Sequence, residues 1–313
     1  MHIPGLVIKR GILMLTKEEF QQKIQEGVRI LDGATGSNLR AAGMPKDCCT
    51  EQWVLENPEP LVALQRAYAA AGSQIIYAPT FQAQPIALKT VGMDAQTEKI
   101  NEALVALSRS AAPGCLIAGD LTTLAVYCES WNPDCFDLLV ENYRRQIRGL
   151  IDGGADLLIG ETLLYAQEAE AILTAAELEG AGAAMYTFTM QSDGALFSGA
   201  DGGKVLRDLE AAGAAAVGFN CVAAGPALPA LVSKLRRYVR GPLVSKPNAG
   251  NPTVSPEGRV VYPMGPEEFA RLQAEACRMG AGLLGGCCGT TPAYLSALRD
   301  RLAAEGLAPA HRT

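Results

Sequence analysis

The sequence predicts a (β/α)8 barrel, because short aliphatic runs alternate with longer helical patterns about eight times along its 313 residues. Helices between consecutive strands imply that the strands run parallel, and eight such units are the number that closes a barrel. Aromatic residues make up only 6 % of the chain and glycines number 33, which is typical of Ala/Gly/Leu-rich helices around a sheet. A doubly wound open sheet is the alternative fold. No low-complexity linker divides the chain, so we expect a tail over residues 1–15 and one domain over residues 16–313.

Each predicted strand is a short β-branched or aliphatic run that ends in a polar or glycine-rich cluster. The strands are expected at residues 28–31, 74–77, 116–118, 156–159, 184–188, 215–219, 243–245 and 282–284. Helices are expected at residues 60–71, 97–111, 136–152, 166–178, 226–239, 266–279 and 292–304. Prolines near several helix starts fit first-turn positions. Thr16 and Glu19 have the spacing of a capping box and predict the start of the first helix. Whether Met14 is the natural start stays open.

Composition excludes several classes of function. The net charge of −6 comes without a basic cluster, which argues against a nucleic-acid partner. No apolar run reaches the roughly 18 residues that span a bilayer, so no membrane partner is expected. Nine cysteines are an odd number for a fully paired disulfide framework, which favours a reducing compartment and a cytoplasmic location. The two histidines, His2 and His311, stand at the ends of the chain, so no imidazole serves chemistry in its body.

Three cysteines follow predicted strands and are candidate metal ligands. Cys221 follows the sixth strand, and Cys287 and Cys288 follow the eighth between flanking glycines. Because the carboxyl ends of barrel strands meet at one rim, the three thiols are expected to converge. Three thiolates that leave a fourth tetrahedral position open are typical of a catalytic zinc ion. Cys48 and Cys49 lie in a polar loop with no strand before it and are interpreted as structural or incidental. No role is assigned to the remaining cysteines, Cys115, Cys128, Cys135 and Cys277.

Two acids, Asp32 and Glu161, also follow predicted strands. They are either ordinary caps of the next helices or carboxylates that bind an ammonium group in the cleft. The run from Asp32 to Gly36 is glycine-rich, but no Gly-Lys-Ser/Thr follows it, which argues against a phosphate-binding loop.

These motifs together resemble those of the homocysteine S-methyltransferase family over roughly residues 20 to 305. The resemblance is carried by Asp32-Gly33-Ala34, Glu161-Thr162, Gly218-Phe219-Asn220-Cys221, Lys246-Pro247-Asn248-Ala249-Gly250 and Gly285-Gly286-Cys287-Cys288-Gly289-Thr290, in family order. Within the family the chain is most similar to the homocysteine-binding zinc module of cobalamin-dependent methionine synthases. That similarity rests on Gly225-Pro226 after Cys221 and on Thr290-Thr291-Pro292 after the cysteine pair.

The resemblance implies a zinc-dependent methyltransferase that holds homocysteine as a zinc-bound thiolate and methylates it to methionine. It implies one Zn²⁺ per chain, held by Cys221, Cys287 and Cys288. It also implies that the acceptor is bound by Asp32 and Glu161, which hold its amino group, and by residues around them, namely Gly33, Ala34, Asn220 and Asn248. The methyl group is expected from methylcobalamin on a separate corrinoid protein.

Two alternatives to that function stay open. One is a small methyl donor, S-methylmethionine or S-adenosylmethionine, because the chain departs from the family pattern at residues 77–81 and 121–127, on the rim where a donor approaches. The other is a non-catalytic zinc- or thiol-binding partner subunit. An acceptor that is another thiol or a selenol, and the oligomeric state, are also left open by the sequence.

Overall fold

Eight parallel strands close into a barrel in the computed structural model, which describes residues 14–128, 131–255 and 260–307. The barrel strands are β1 (Arg29–Ile30), β2 (Ile75–Tyr77), β3 (Leu116–Thr122), β4 (Leu157–Leu163), β5 (Ala184–Phe188), β6 (Ala216–Ala223), β7 (Leu243–Asn248) and β10 (Leu283–Leu284). Strands β8 (Thr253–Val254) and β9 (Val260–Val261) form a separate antiparallel hairpin between β7 and β10.

The strand order shows that the sheet is closed. Hydrogen-bonded neighbours follow the order β1-β10-β7-β6-β5-β4-β3-β2. A parallel bridge between Leu31 and Ile75 joins the two ends of this order, and the Gln74 amide donates to the Ile30 carbonyl at 2.7 Å. The predicted (β/α)8 barrel is therefore confirmed, and the alternative of a doubly wound open sheet is wrong.

Helices surround the barrel and are, in chain order, α1 (Lys17–Gln25), α2 (Gly36–Ala41), α3 (Thr50–Glu56), α4 (Pro58–Ala71), α5 (Pro85–Leu88), α6 (Thr97–Ala111), α7 (Pro133–Asp152), α8 (Ala166–Glu179), α9 (Gly202–Ala211), α10 (Leu228–Arg236), α11 (Pro266–Arg278) and α12 (Pro292–Ala304). Prolines occupy the first turns of α4, α7, α11 and α12, where a missing N–H costs no helical hydrogen bond. The predicted capping box is present, since the Glu19 amide donates to Thr16 Oγ1 and the Thr16 amide donates to Glu19 Oε2.

Helix α9 was absent from the sequence prediction because it begins with two glycines, which have low helix propensity. The packing explains them. A Cβ on Gly203 would lie 2.5 Å from the ring of Tyr238, and one on Gly202 would lie 2.4 Å from the Gly194 carbonyl oxygen. Asp201 caps the helix by accepting a hydrogen bond from the Lys204 amide at 3.3 Å. Close packing therefore selects the glycines, and the cap compensates for part of their cost.

Helix α1 covers the amino-terminal end of the barrel. Phe20 is completely buried among inward-facing side chains that include Leu31, Ile75 and Leu283. Its neighbour Gln21 donates to the Ala215 carbonyl. With that end covered, the cleft at the carboxyl ends of the strands is where a ligand has access, as in other barrels of this class.

The predicted tail over residues 1–15 lies outside the described residues except for its last two. Met14 is buried, and Leu15 donates to the Asp156 carbonyl at 2.8 Å and accepts from the Ala183 amide at 2.6 Å. These two residues therefore contact the starts of neighbouring barrel strands. Within the described part of the chain, no helix is both long and apolar enough to cross a membrane.

One expectation about the cysteines is wrong. Cys128 and Cys135, to which the sequence assigned no role, form a disulfide between the loop after β3 and the first turn of α7. The bond is local, because only seven positions separate the two residues. An odd total of nine cysteines excludes complete pairing but not one bridge, so the expectation of reduced thiols fails for this pair.

Candidate metal and acceptor site

Three thiols converge at the carboxyl end of the barrel. Cys221 Sγ lies 2.9 Å from Cys287 Sγ and 3.9 Å from Cys288 Sγ, and the last two atoms are 4.0 Å apart. Sulfur atoms bound to one tetrahedral zinc ion, each at about 2.3 Å, lie roughly 3.8 Å apart. The separations of 3.9 and 4.0 Å match this value. Cys221 Sγ and Cys287 Sγ, at 2.9 Å, must move slightly apart to hold the ion. Among the residues that the structure describes, no other group of His, Cys, Asp or Glu is arranged to hold a metal ion.

The backbone at Cys221 has an uncommon conformation. Cys221 and Thr162 are the two non-glycine residues of the described ranges with positive φ, at 54° and 59°. Such positions cost of order 1–3 kcal/mol each and concentrate at functional sites. Asn220 connects the two, because its Oδ1 accepts from the Thr162 amide at 2.9 Å and its Nδ2 donates to Thr162 Oγ1 at 2.7 Å. The fully buried Asn220 therefore stabilises the irregular ends of β4 and β6, which present Glu161 and Cys221.

Asn248, at the end of β7, connects the two cysteine segments. Its Oδ1 accepts from the Cys288 amide at 3.0 Å, and its Nδ2 donates to the Cys221 carbonyl at 3.1 Å. The preceding residue, Pro247, accepts from the Cys287 amide at 2.7 Å. All three cysteines are thus held against the end of β7 by hydrogen bonds to their main chain.

Glycines around the cysteine pair are required by close neighbours. Gly289 has a φ of +80°, and a Cβ on it would lie 2.2 Å from the ring of Tyr262. A Cβ on Gly286 would lie 2.4 Å from Thr290 Oγ1. That hydroxyl donates to the Cys287 carbonyl at 2.8 Å and accepts from the Ala34 amide at 3.2 Å. The cysteine loop and the loop after β1 are therefore packed together, which requires residues without side chains at these positions.

A group of buried charges lies beside the thiols. The Lys246 ammonium is 3.0 Å from Glu161 Oε1 and 3.5 Å from Asp32 Oδ1, and it stacks 4.5 Å from the centre of the Tyr77 ring. Asp32 Oδ2 accepts from the Tyr77 amide at 2.8 Å. The structure thus brings together the two acids singled out from the sequence. Both acids contact the same lysine of the chain. Neither side chain accepts a hydrogen bond from the helix that follows it, so neither acts as a helix cap.

Burial dominates the ionisation of this group. It raises the pKa of Asp32 to about 7, although the Lys246 charge and the Tyr77 amide oppose the shift. Burial also raises the pKa of Glu161, again against Lys246. Burial disfavours the charge on Lys246, but Glu161 and Asp32 outweigh it and hold the pKa of Lys246 well above its usual value. Among the thiols, hydrogen bonds from Cys221 and Cys287 hold the pKa of Cys288 below its usual value, whereas the pKa of Cys221 is raised by its hydrogen bonds with the other two thiols.

Thiols and charges line one cleft of about 1060 Å³, a volume that includes its opening to solvent. Gly33 and Ala34 line the same cleft, whereas Asn220 and Asn248 act behind it through the contacts described above. Lys246 and Asp120 also line the cleft, although the sequence assigned neither of them a role in the site. Both stood at predicted strand ends, and a charge count over all eight strand ends would have shown that the acids need a basic partner.

Replacing Asn248 with alanine is expected to weaken metal retention by about 10- to 100-fold, because outer contacts that orient metal ligands typically contribute that much. The variant loses both hydrogen bonds that join Cys221 to Cys288. Competition with a zinc-binding dye measures the change. Asn251→Ala is the matched control, since Asn251 is exposed and three positions further along. Equal retention in the two variants would show that Asn248 does not position the cysteines.

Comparisons with known proteins agree with this geometry. The model of the homocysteine S-methyltransferase family matches residues 29–302, which is most of the chain. This chain belongs to the homocysteine S-methyltransferase family. The resemblance inferred from the motifs is thereby confirmed, whereas the individual roles of the site residues stay predictions.

Two curated relatives match most of the chain. The chain is 30 % identical over 307 residues to the homocysteine S-methyltransferase of Escherichia coli K12, covering 88 % of this chain and 96 % of that protein. It is 28 % identical over 294 residues to the methionine synthase of Mycobacterium tuberculosis, covering 87 % of this chain. In that second comparison the chain spans only 24 % of the relative's length.

A solved relative shares the fold closely. The crystal structure of the Escherichia coli homocysteine methyltransferase MmuM in its metallated form superimposes with a TM-score of 0.75. The two chains are 28 % identical, and the match covers 88 % of this chain and 96 % of that one.

Proposed function

We propose that this protein transfers a methyl group to the thiol of L-homocysteine, forming methionine, at a Zn²⁺ ion held by Cys221, Cys287 and Cys288. The observation that carries the proposal is the convergence of these three thiols on the cleft that also contains Asp32 and Glu161. The existence of a metallated form of the Escherichia coli relative supports a bound metal in this chain as well. When bound, zinc supplies the positive charge that keeps the acceptor thiol deprotonated at neutral pH.

The chain's own residues bind and orient the acceptor. No histidine is found among the described residues, so proton removal from the acceptor thiol does not rest on an imidazole base. Asp32 and Glu161 receive the amino group through charge-assisted hydrogen bonds. Backbone groups at Gly33 and Ala34, which line the cleft, lie against the rest of the amino acid. The sulfur then forms a bond to the methyl carbon as the bond to the donor breaks, and that electron pair leaves with the donor.

Asn220 and Asn248 take part indirectly in this proposal. Asn220 uses both ends of its side-chain amide on Thr162, and Asn248 uses both ends on the two cysteine segments. These contacts support a positioning role for both, in which they fix the cysteines and Glu161 before the acceptor binds. Preorganisation of this kind spares the enzyme the cost of ordering the site during the reaction.

The methyl donor is proposed to be a methyl-corrinoid group on a separate protein. The support is a set of exposed apolar side chains on the segments that follow β3, β5 and β7, namely Val126, Phe197 and Val254, which are 80 %, 65 % and 72 % exposed. Loops after barrel strands surround the mouth of the cleft, and apolar side chains there suit a partner protein better than a small donor. The second candidate is a small donor, S-methylmethionine or S-adenosylmethionine. It is favoured by the match to the homocysteine S-methyltransferase of Escherichia coli, of which this chain covers 96 %.

A labelled-methyl assay tests the function and separates the donors. Zinc-loaded protein is incubated with L-homocysteine and ¹³C-methyl-labelled methylcobalamin, S-methylmethionine or S-adenosylmethionine. The expected result is that methylcobalamin gives labelled methionine and the two sulfonium donors do not. Labelled methionine from a sulfonium donor would replace the corrinoid proposal with the small-donor one. If no donor labelled homocysteine above the rate without protein, a non-catalytic thiol-binding role would be the better account.

A further inference from the structure

The floor of the cleft holds more negative than positive charge. Asp32 lies just after β1, Asp120 lies in β3 and Glu161 lies in β4, and all three are buried beside a single buried cation, Lys246. Their formal charges leave an excess of two negative charges at neutral pH. An ionised carboxylate that is buried without a partner is strongly destabilised, so such a group needs a cation or a proton.

Lys246 does not reach Asp120. The lysine contacts Glu161 and Asp32, and its remaining face lies over the Tyr77 ring. Asp120 Oδ1 has no hydrogen-bond partner although the residue is only 5 % exposed. Burial, and then the charge of Glu161, raise the pKa of Asp120 well above its usual value, although the charge of Lys246 opposes the shift from a distance. Asp32 Oδ1 has no hydrogen bond either, beyond the 3.5 Å contact with Lys246.

The main chain of Asp120 is held firmly. Thr80 Oγ1 accepts from its amide at 3.0 Å and donates to its carbonyl at 2.9 Å. Gln146 Nε2 donates to the same carbonyl at 3.0 Å. The backbone polar groups are therefore satisfied, and the side chain is left to face the cleft that Asp120 lines. A fixed, unpartnered carboxylate in a ligand cleft is the arrangement that binds a cationic group.

We propose that Asp120 binds the α-ammonium group of the acceptor, together with the oxygen atoms of Asp32 and Glu161 that Lys246 leaves free. The inference rests on the proposed function and extends it by one specificity-determining residue. Lys246 then acts as an internal counter-ion that holds two of the carboxylates in place, and the acceptor's ammonium supplies the positive charge that the third lacks. It follows that the site selects thiols that carry a free ammonium group and discriminates against those that lack one.

Binding of two thiols to zinc-loaded protein, measured by isothermal titration calorimetry, tests the proposal. L-Homocysteine has the ammonium group, and 4-mercaptobutanoate is the same molecule without it. Asp120→Asn keeps the shape of the side chain and removes its charge. We expect this variant to bind homocysteine about 10- to 100-fold more weakly, because hydrogen bonds to charged groups contribute that much. Its affinity for 4-mercaptobutanoate and its zinc content are expected to match the wild type.

Asp137→Asn is the matched control, since Asp137 is exposed on the outer helix α7. A thermal melt of each variant checks folding, and Asp120→Ser provides a second substitution should the first be unstable. Unchanged homocysteine affinity in both Asp120 variants, or an equal loss for both thiols, would overturn the proposal. Wild-type protein that binds neither thiol, or that forms no methionine, would overturn the proposed function itself, and this result is separate from any effect at Asp120.

Discussion

Cys288→Ser is expected to empty the metal site and to abolish most methyl transfer. The serine hydroxyl is a poor ligand at neutral pH because it keeps its proton, and the two remaining thiols, Cys221 and Cys287, hold zinc weakly on their own. Loss of a residue that only orients a metal ligand lowers activity by up to about 100-fold. The loss in Cys288→Ser should be larger, because this variant removes a metal ligand itself. Zinc content after gel filtration and the rate of labelled methionine formation measure the two effects.

Cys48→Ser is the matched control for that variant. Cys48 lies between α2 and α3, where its thiol donates to the Pro45 carbonyl, and it packs against a small apolar cluster away from the three converging thiols. Zinc content and activity should stay at wild-type levels. If Cys48→Ser lost its zinc while Cys288→Ser kept it, the assignment of the ligands would be wrong.

Lys246→Met is expected to lower the free energy of unfolding by about 3–5 kcal/mol, because it leaves buried carboxylates without their cation. Methionine fills a similar volume, so the loss reports charge more than packing. The free energy of unfolding of a typical domain is about 5–15 kcal/mol, so the variant is expected to lose a large fraction of its stability. Urea denaturation at pH 8 measures the change. Lys204→Met, an exposed lysine on α9, should change stability by less than about 0.5 kcal/mol.

The destabilisation of Lys246→Met is expected to depend on pH. Burial already raises the pKa of Asp32 to about 7 with the lysine present, and removing the lysine raises it further. The folded variant therefore binds more protons than the unfolded chain, and its stability falls as the pH rises from about 4 through 7. The difference from wild type should be smaller at pH 5 than at pH 8. An equal difference at both pH values would mean that lost packing, and not charge, causes the effect.

The sequence predicted all eight barrel strands but ended several of them too early. It stopped the third strand at Ala118, whereas β3 continues to Thr122, and it stopped the sixth at Phe219, whereas β6 continues to Ala223. Glycine and polar residues after those positions favour a loop locally. Pairing with one neighbouring strand, β4 for β3 and β7 for β6, overrides that preference in the barrel, so site residues such as Asp120 and Cys221 lie within strands.

The convergence of Cys221, Cys287 and Cys288 was predictable, because strand ends in a parallel barrel always share one rim. The contacts of Lys246 were not predictable in the same way. They depend on which inward-facing side chains share a layer, and this follows from the strand register and from side-chain length. The positive φ angles at Thr162 and Cys221 also carry no signal in the sequence, since neither residue type favours that conformation.

Zinc-edge X-ray absorption, recorded before and after addition of L-homocysteine, tests the central claim most directly. The account predicts about one zinc ion per chain with three sulfur ligands from the protein, and a fourth sulfur ligand when the acceptor is present. The appearance of that fourth sulfur would establish a thiol-activating site formed by the three cysteines. Protein purified without chelator that contains no zinc, or zinc whose sulfur coordination does not change with homocysteine, would contradict it.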